Sequence, residues 1–266
     1  VNTSQRALSA KFSEALKHSG APIRRSFTDA QDNELSPLAS LMRGSRGQGG
    51  GGRGGGTRLA VLLTLLWVLR AGHHDSDRPA RFWAQLIGLN EPKTDGARAV
   101  RDSFHELAKR KLITVDSVIP GTLLIQLLRE DGTGIPYSSP VASQVGGAVT
   151  EPYFRIPPAL WETGLISELS GPGLAMFVIV MRSVRSDRPQ NKLWFSSASF
   201  KERYSLGDST RKSGLRELVE HGVLIESYES VDDTGGTEYR TRRRKTYTVD
   251  PAYLPFKTNE VSTQKS

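Results

Sequence analysis

Two apolar runs stand out from a chain that is otherwise mixed. The first, Leu59 to Leu69 (LAVLLTLLWVL), is eleven residues long. That is about half of the roughly 20 needed to cross a bilayer, so the run predicts a buried helix. It opens a series of patterned segments. After the apolar helix, which reaches about Arg70, come a polar loop (AGHHDSDRP), a short helix (ARFWAQLIGL) and a turn at Asn90-Glu91-Pro92. A longer helix is predicted over about 94–110. In it Val100, Phe104 and Leu107 fall at i, i+4 and i+7, while Arg98, Arg101, His105 and Lys109 share much of the opposite face. Two segments rich in Ile, Val, Thr and Leu follow, LITVDSV and TLLIQLL. They meet at Ile119-Pro120-Gly121, which supplies the turn of a hairpin.

The same order recurs later in the chain. After a preface (YFRIPPALWETGLISELSG), the second apolar helix is predicted from about Pro172 to Val184, and FSSASFKERYSL reads as a short helix. Gly207-Asp208 makes a turn, with Asp208 or Ser209 as N-cap of a helix ending near His221-Gly222. The strands VLIESYES and KTYTVDP then flank a polar loop, DDTGGTEYRTRRR. HELAKRKLITVDS at 105–117 aligns without gaps on RELVEHGVLIESY at 216–228, placing Glu106 on Glu217, Leu107 on Leu218 and Leu112 on Val223.

Between these units, residues 131–150 are rich in Gly, Ser, Pro and Thr and read as a linker. Ahead of them, Leu8, Phe12, Ala15 and Leu16 have the spacing of one amphipathic helix, a candidate dimerisation element, and GSRGQGGGGRGGG at 44–56 reads as a flexible linker. It lacks the lysine and following Ser or Thr of a phosphate-cradling loop. The expected division is therefore an N-terminal segment at 1–57, a first domain at 58–130, a linker at 131–150, a second domain at 151–256 and a disordered tail at 257–266.

Charge changes this picture more than composition does. Lys plus Arg number 36 against 28 Asp plus Glu, a net +8, which favours a polyanionic partner such as nucleic acid. The absence of cysteine excludes disulfides, thiolate metal sites and cysteine nucleophiles, and fits a reducing compartment. With no apolar signal-like stretch in VNTSQRALSAKFSEAL, a cytoplasmic protein without a membrane partner is expected.

The order helix, helix, turn, helix, hairpin, together with the wording LRELVEHGVLIES, resembles the winged helix-turn-helix superfamily. Two such units in one chain are similar to plasmid replication initiators of the tandem winged-helix kind, with a texture like that of actinobacterial mobile-element proteins. The resemblance implies an α+β, mainly α fold of two winged helix-turn-helix domains, each a three-helix core with a small β-hairpin wing. It also implies duplex-DNA binding, in replication initiation or transcriptional regulation. A partition protein binding a centromere-like repeat, and a protein-interaction scaffold, are the alternatives. A recognition helix reads base edges chiefly from its N-terminal half. Those positions are Lys93, Thr94, Arg98 and Arg101 in the first unit, and Ser209, Thr210, Arg211, Lys212 and Arg216 in the second. The second wing adds Arg240, Arg242, Arg243, Arg244 and Lys245. Alternation along a strand would send Arg242 and Arg244 to a phosphate line, or into a minor groove, and turn Arg243 away.

Catalytic chemistry is not expected. His73-His74-Asp75 are adjacent, whereas two histidines binding one metal from a strand need a residue between them, and no GxSxG, HExxH or Walker motif occurs. No metal or cofactor is expected. Trp67, Phe82, Trp83, Phe104, Phe177 and Trp194 read as core residues, and Tyr204 as a core or phosphate contact.

Overall fold

The computed structural model describes residues 3–30, 34–43, 54–119, 122–141, 144–145, 148–149, 151–185, 187–188, 190–233 and 240–255. The glycine-rich run at 44–53, the Pro120-Gly121 turn and the tail from 256 lie outside the described residues, as do the side chains at 118–119, 144–149, 231–233 and 240–242. The protein is of mixed α+β class.

The segment ahead of the glycine run holds more than one helix. Helix α1 (Thr3–Ala15) is followed by strand β1 (Ala21–Arg24), a 3-10 turn (Arg25–Phe27) and α2 (Pro37–Met42). Helix α1 packs against two helices further along the chain, α4 (Ala80–Ile87) and α6 (Ala159–Glu162). Its most buried positions are polar: Gln5, Ser9 and Ser13. The Gln5 amide donates to Ser9 Oγ and to the Leu86 and Trp161 carbonyls, so a stripe that sequence reading assigns to the polar side is satisfied inside.

Helix α3 (Gly55–Val68) is buried on every side, which is why its sequence shows no amphipathic period. Its Thr64 hydroxyl donates to the Ala60 carbonyl at 2.7 Å and accepts from Trp161 Nε1 at 3.0 Å, and Trp67 stacks on Trp161 at 4.4 Å. The chain continues through β2 (Asp75–Ser76), α4, α5 (Asp95–Lys109), β3 (Ile113–Ile119) and β4 (Thr122–Leu127). The three strands form a sheet in the order β2-β4-β3. Asp75 and Ser76 stand in the polar loop of the sequence reading, so that loop contains an edge strand. His74 is held there by the Leu69 carbonyl at 2.7 Å.

Beyond the short pair β5 (Gln144–Val145) and β6 (Ala148–Val149), strand β7 (Tyr153–Ile156) pairs antiparallel with β1, Ala21 opposite Ile156 and Arg24 opposite Tyr153. After α6 and α7 (Leu165–Glu168), the second unit runs α8 (Gly171–Ser183), α9 (Ser197–Tyr204), α10 (Asp208–Glu220), β8 (Leu224–Asp233) and β9 (Arg240–Val249). A single bridge from Leu193 to Tyr247 occupies the place that β2 holds in the first unit. The repeat extends to backbone detail. Lys111 and Gly222 both take the left-handed conformation after their helices, with φ of 56° and 68°. Leu112 N donates to Leu107 O at 3.1 Å, as Val223 N does to Leu218 O at 2.9 Å.

The two units are not separately packed. One contiguous apolar cluster runs through both, and α3 meets α8 where Gly56 lies against Gly171. The 131–150 bridge is gripped at both ends. Arg24 donates to Glu130 at 2.9 Å and to Glu151 at 2.7 Å, and Arg129 also pairs with Glu151 at 2.7 Å.

Helices α8 and α10 approach closely at Gly214, where a methyl group would stand 2.4 Å from Met176 Cγ and 2.4 Å from the Pro172 carbonyl oxygen. Gly214→Ala should therefore cost about 1–3 kcal/mol through overpacking, measured as a lowered urea midpoint. An unchanged midpoint would mean that the two helices separate freely.

Candidate nucleic-acid interface

The second unit presents its third helix with part of its basic surface already committed. Asp208, expected as the N-cap of α10, lies inside its first turn, Gly207 being the N-cap; it accepts from Ser197 Oγ at 2.9 Å, from Arg211 Nη2 at 2.6 Å and from Lys212 Nζ at 2.8 Å. Those donors, Lys212 first, hold its carboxyl far below the usual range. A carboxylate also suits the positive end of a helix dipole. Arg211 further donates to the Phe195 carbonyl at 2.9 Å and is only 15% exposed. It joins α10 to the segment leading into α9, so a structural role is the expectation for it in place of base reading. Arg211→Ala should lower stability by on the order of 1 kcal/mol, the scale of a partly screened ion pair. Its effect on any ligand should be the same for all DNA sequences; a change of preference at one base position would restore the reader role.

The remaining positions on α10 face outward. Ser209, Lys212 and Arg216 are exposed and Thr210 is half-buried. Arg216 sits 3.7 Å from Glu220, and this pair, like Lys212 with Asp208, is exposed enough to exchange partners with a phosphate. Between α10 and the long hairpin lies a groove of about 480 Å³ lined by Lys212, Arg216, Glu226, Lys245 and Tyr247. Burial raises the Tyr247 phenol pKa.

The hairpin and its surroundings correct two sequence expectations. The arginine run is not loop: β8 and β9 are ten residues each, and Arg240 to Lys245 lie inside β9. Arg243 and Arg244 point to opposite faces, as alternation predicts. Register puts Lys245 opposite Tyr228 and Arg243 opposite Ser230, on the face that also carries Tyr247 and lines the groove beside α10. Arg243 and Lys245 both lie over the Tyr228 ring, at 5.1 and 5.6 Å, and Lys245 pairs with Glu226 at 2.9 Å. That pairing lowers the Glu226 pKa. Arg244 instead turns to the other face and lies 3.9 Å over Trp194. Trp194, expected in the core, is 51% exposed. The side chains of Arg240 and Arg242 lie outside the described residues.

In the first unit Lys93 and Thr94 precede α5, and Arg98, Arg101, His105 and Lys109 are exposed along it, as their spacing predicts. Arg98 approaches Asp95 at 3.8 Å, both exposed. Arg110 differs: it pairs with Glu106 at 2.6 Å and donates to the Ser40 carbonyl, tying the end of α5 to α2. Strands β3 and β4 carry no Lys or Arg.

Several residues that shape this surface escape sequence reading. The Asp208 clamp has a signal, a carboxylate with cations at i+3 and i+4. Tyr228 and Trp194 have none, because their neighbours come from strand register. Tyr204 is buried, with Phe200 at 5.1 Å between ring centres. Among the described residues no group of three or more His, Asp or Glu is placed to hold a metal ion, and no helix is long and apolar enough to cross a membrane. No family model matches the chain, and no curated protein or solved structure matches it.

Proposed function

We propose that the two repeated units are winged helix-turn-helix modules and that the chain binds duplex DNA in a sequence-specific manner, with α5 and α10 as recognition helices and the β8–β9 hairpin as the active wing. The observation that carries this reading is the coincidence of position. The third helix of each unit carries exposed cations on its outer face, Arg98 and Arg101 in one and Lys212 and Arg216 in the other, and the offset of the gapless alignment places Arg101 on Lys212. A helix so placed reaches base edges in a major groove, while Arg243 and Lys245 lie where the adjoining phosphates would pass. The biological setting that fits best is replication initiation or transcriptional control on a plasmid or other mobile element, with partition at a centromere-like repeat as the variant of the same activity.

A second reading, a protein-interaction scaffold, draws on Trp194 and Ile225, both about half exposed on the outer face of the second wing. Selection of bound sequences from a random duplex pool at two salt concentrations separates the two. Specific binders typically prefer their site by about 10³ or more, so a recurring two-part motif supports the DNA reading, and its position beside an origin, a promoter or a repeat array selects the role. No enrichment at either salt rejects it in favour of the scaffold.

A further inference from the structure

A second basic feature lies on different elements from the groove beside α10. A cleft of about 700 Å³ opens where the β1–β7 sheet meets the C-terminal ends of α8 and α9. Its walls carry Arg25, Arg155, Arg182, Arg185 and Arg203, with Tyr153 among them. Among the described residues, two carboxylates answer these five guanidinium groups. Asp29 accepts from Arg182 at 2.5 Å and lies 3.4 Å from Arg203, and Asp187 accepts from Arg185 at 2.8 Å. Among the described residues, Arg25 and Arg155 have no carboxylate partner; Arg155 reaches only the Ser19 hydroxyl, at 3.4 Å, and lies 5.5 Å over the Tyr153 ring.

Arg182 supplies an independent observation. Its side chain is 5% exposed, yet among the described residues its Nε–H has no acceptor. A buried donor of this kind is normally satisfied, and here it belongs to a residue that forms the wall of the cleft. Surplus positive charge in a concave wall concentrates anions, and the guanidinium fork matches phosphate oxygens better than any other side chain does. The volume lies in the range of small-ligand sites, roughly 300–1000 Å³. A duplex backbone, by contrast, is a convex rod that would cross the mouth of such a cleft without filling it.

We propose that this cleft binds a small polyphosphate, the chemical class of inorganic triphosphate and of nucleoside triphosphates, and that the bound anion braces the first two helices of the second unit against the β1–β7 sheet. Arg25 and Arg155 are the principal contacts, being the cations with no carboxylate to give up. The proposal does not rest on DNA binding: failure of the sequence selection leaves it standing, and its own failure leaves the duplex reading intact.

The test is calorimetric titration of the full chain with inorganic tripolyphosphate and, separately, with ATP at about physiological salt, where exposed charges are screened beyond about 8 Å. One saturable site is expected, weakened at least tenfold in Arg25→Ala/Arg155→Ala and unchanged in Lys212→Ala/Arg216→Ala. A ligand that binds the folded form must also raise the melting temperature of the unaltered chain, which gives a readout free of any folding defect in the variants. No saturable binding, no thermal shift, or equal loss in both double variants would overturn the proposal. So would a result in which Arg25→Ala/Arg155→Ala weakens duplex binding alone, which would make the cleft a backbone contact.

Discussion

Removing both exposed cations of α10, in Lys212→Ala/Arg216→Ala, is expected to weaken binding to a selected DNA site by two orders of magnitude or more while leaving the fold intact. Both side chains are more than two-thirds exposed, and their carboxylate partners, Asp208 and Glu220, are surface groups with water available, so stability should change little. Truncating one side chain that reads a base edge costs about 1–3 kcal/mol, and two such truncations give the stated fall. The salt dependence separates the possible roles of the pair. Each phosphate neutralised adds roughly 0.9 to the slope of log affinity against log salt. If both residues bind phosphates, the slope drops by about 1.8 and specific and random DNA weaken alike. If they read bases, the slope changes little and specific binding suffers most. A variant that binds as tightly as the original chain would remove α10 from the interface.

Arg24→Ala is expected to have the largest effect on stability, about 3–5 kcal/mol, because it strands a buried charge. Arg24 and Glu130 are 2% and 0% exposed, and the Arg24 backbone N–H donates to the same carboxylate at 2.6 Å. Arg24 also holds Glu151 and the Ser138 carbonyl, so one guanidinium fastens β1 to both ends of the bridge between the units. Burial raises the Glu130 pKa, and Arg24 opposes that by charge and hydrogen bonding. With Arg24 gone, burial acts with less opposition. The folded-state pKa then lies above the unfolded value of about 4.3, so the stability associated with Glu130 is fully present below that pH and is lost as pH rises through the raised folded value. Urea unfolding should accordingly show a gap between Arg24→Ala and Arg24→Ala/Glu130→Gln that is large at neutral pH and closes in acid. A gap independent of pH would mean that Glu130 is not carrying an unpaired charge in the variant.

The repeated helix, turn, helix and strand order is legible from local signals because it depends on them. Val100, Phe104 and Leu107 define the buried face of α5 by spacing alone, and the left-handed Lys111 and Gly222 end their helices at matching points of a gapless alignment. The exposed cations of both third helices follow from the same period. Strand β1 is different. APIR is four residues long, contains a proline and carries no alternation, and its partner β7 lies far along the chain. Nothing local marks it as a strand, because its stability comes from non-local pairing and burial.

The β8–β9 hairpin shows the same division at single-residue scale. That Arg243 and Arg244 point to opposite faces follows from the two-residue period of any strand. Which of them looks toward α10 depends on the register Glu229 to Arg244 and on how the hairpin packs on the helix. Arg211 is likewise basic at a position that suits a reader, and only the approach of Phe195 and the fold of the first turn around Asp208 make it internal.

By itself, then, the sequence determined the elements whose stability is local: the apolar helices, the amphipathic third helices and the net positive charge. Tertiary structure alone decided what requires distant segments to meet, namely the β1–β7 sheet, the Arg24–Glu130 joint between the units and the partner of each arginine. The physical reason is that helix periodicity and capping act within a few residues, whereas a charged side chain takes whichever carboxylate, carbonyl or ring the completed packing brings within reach.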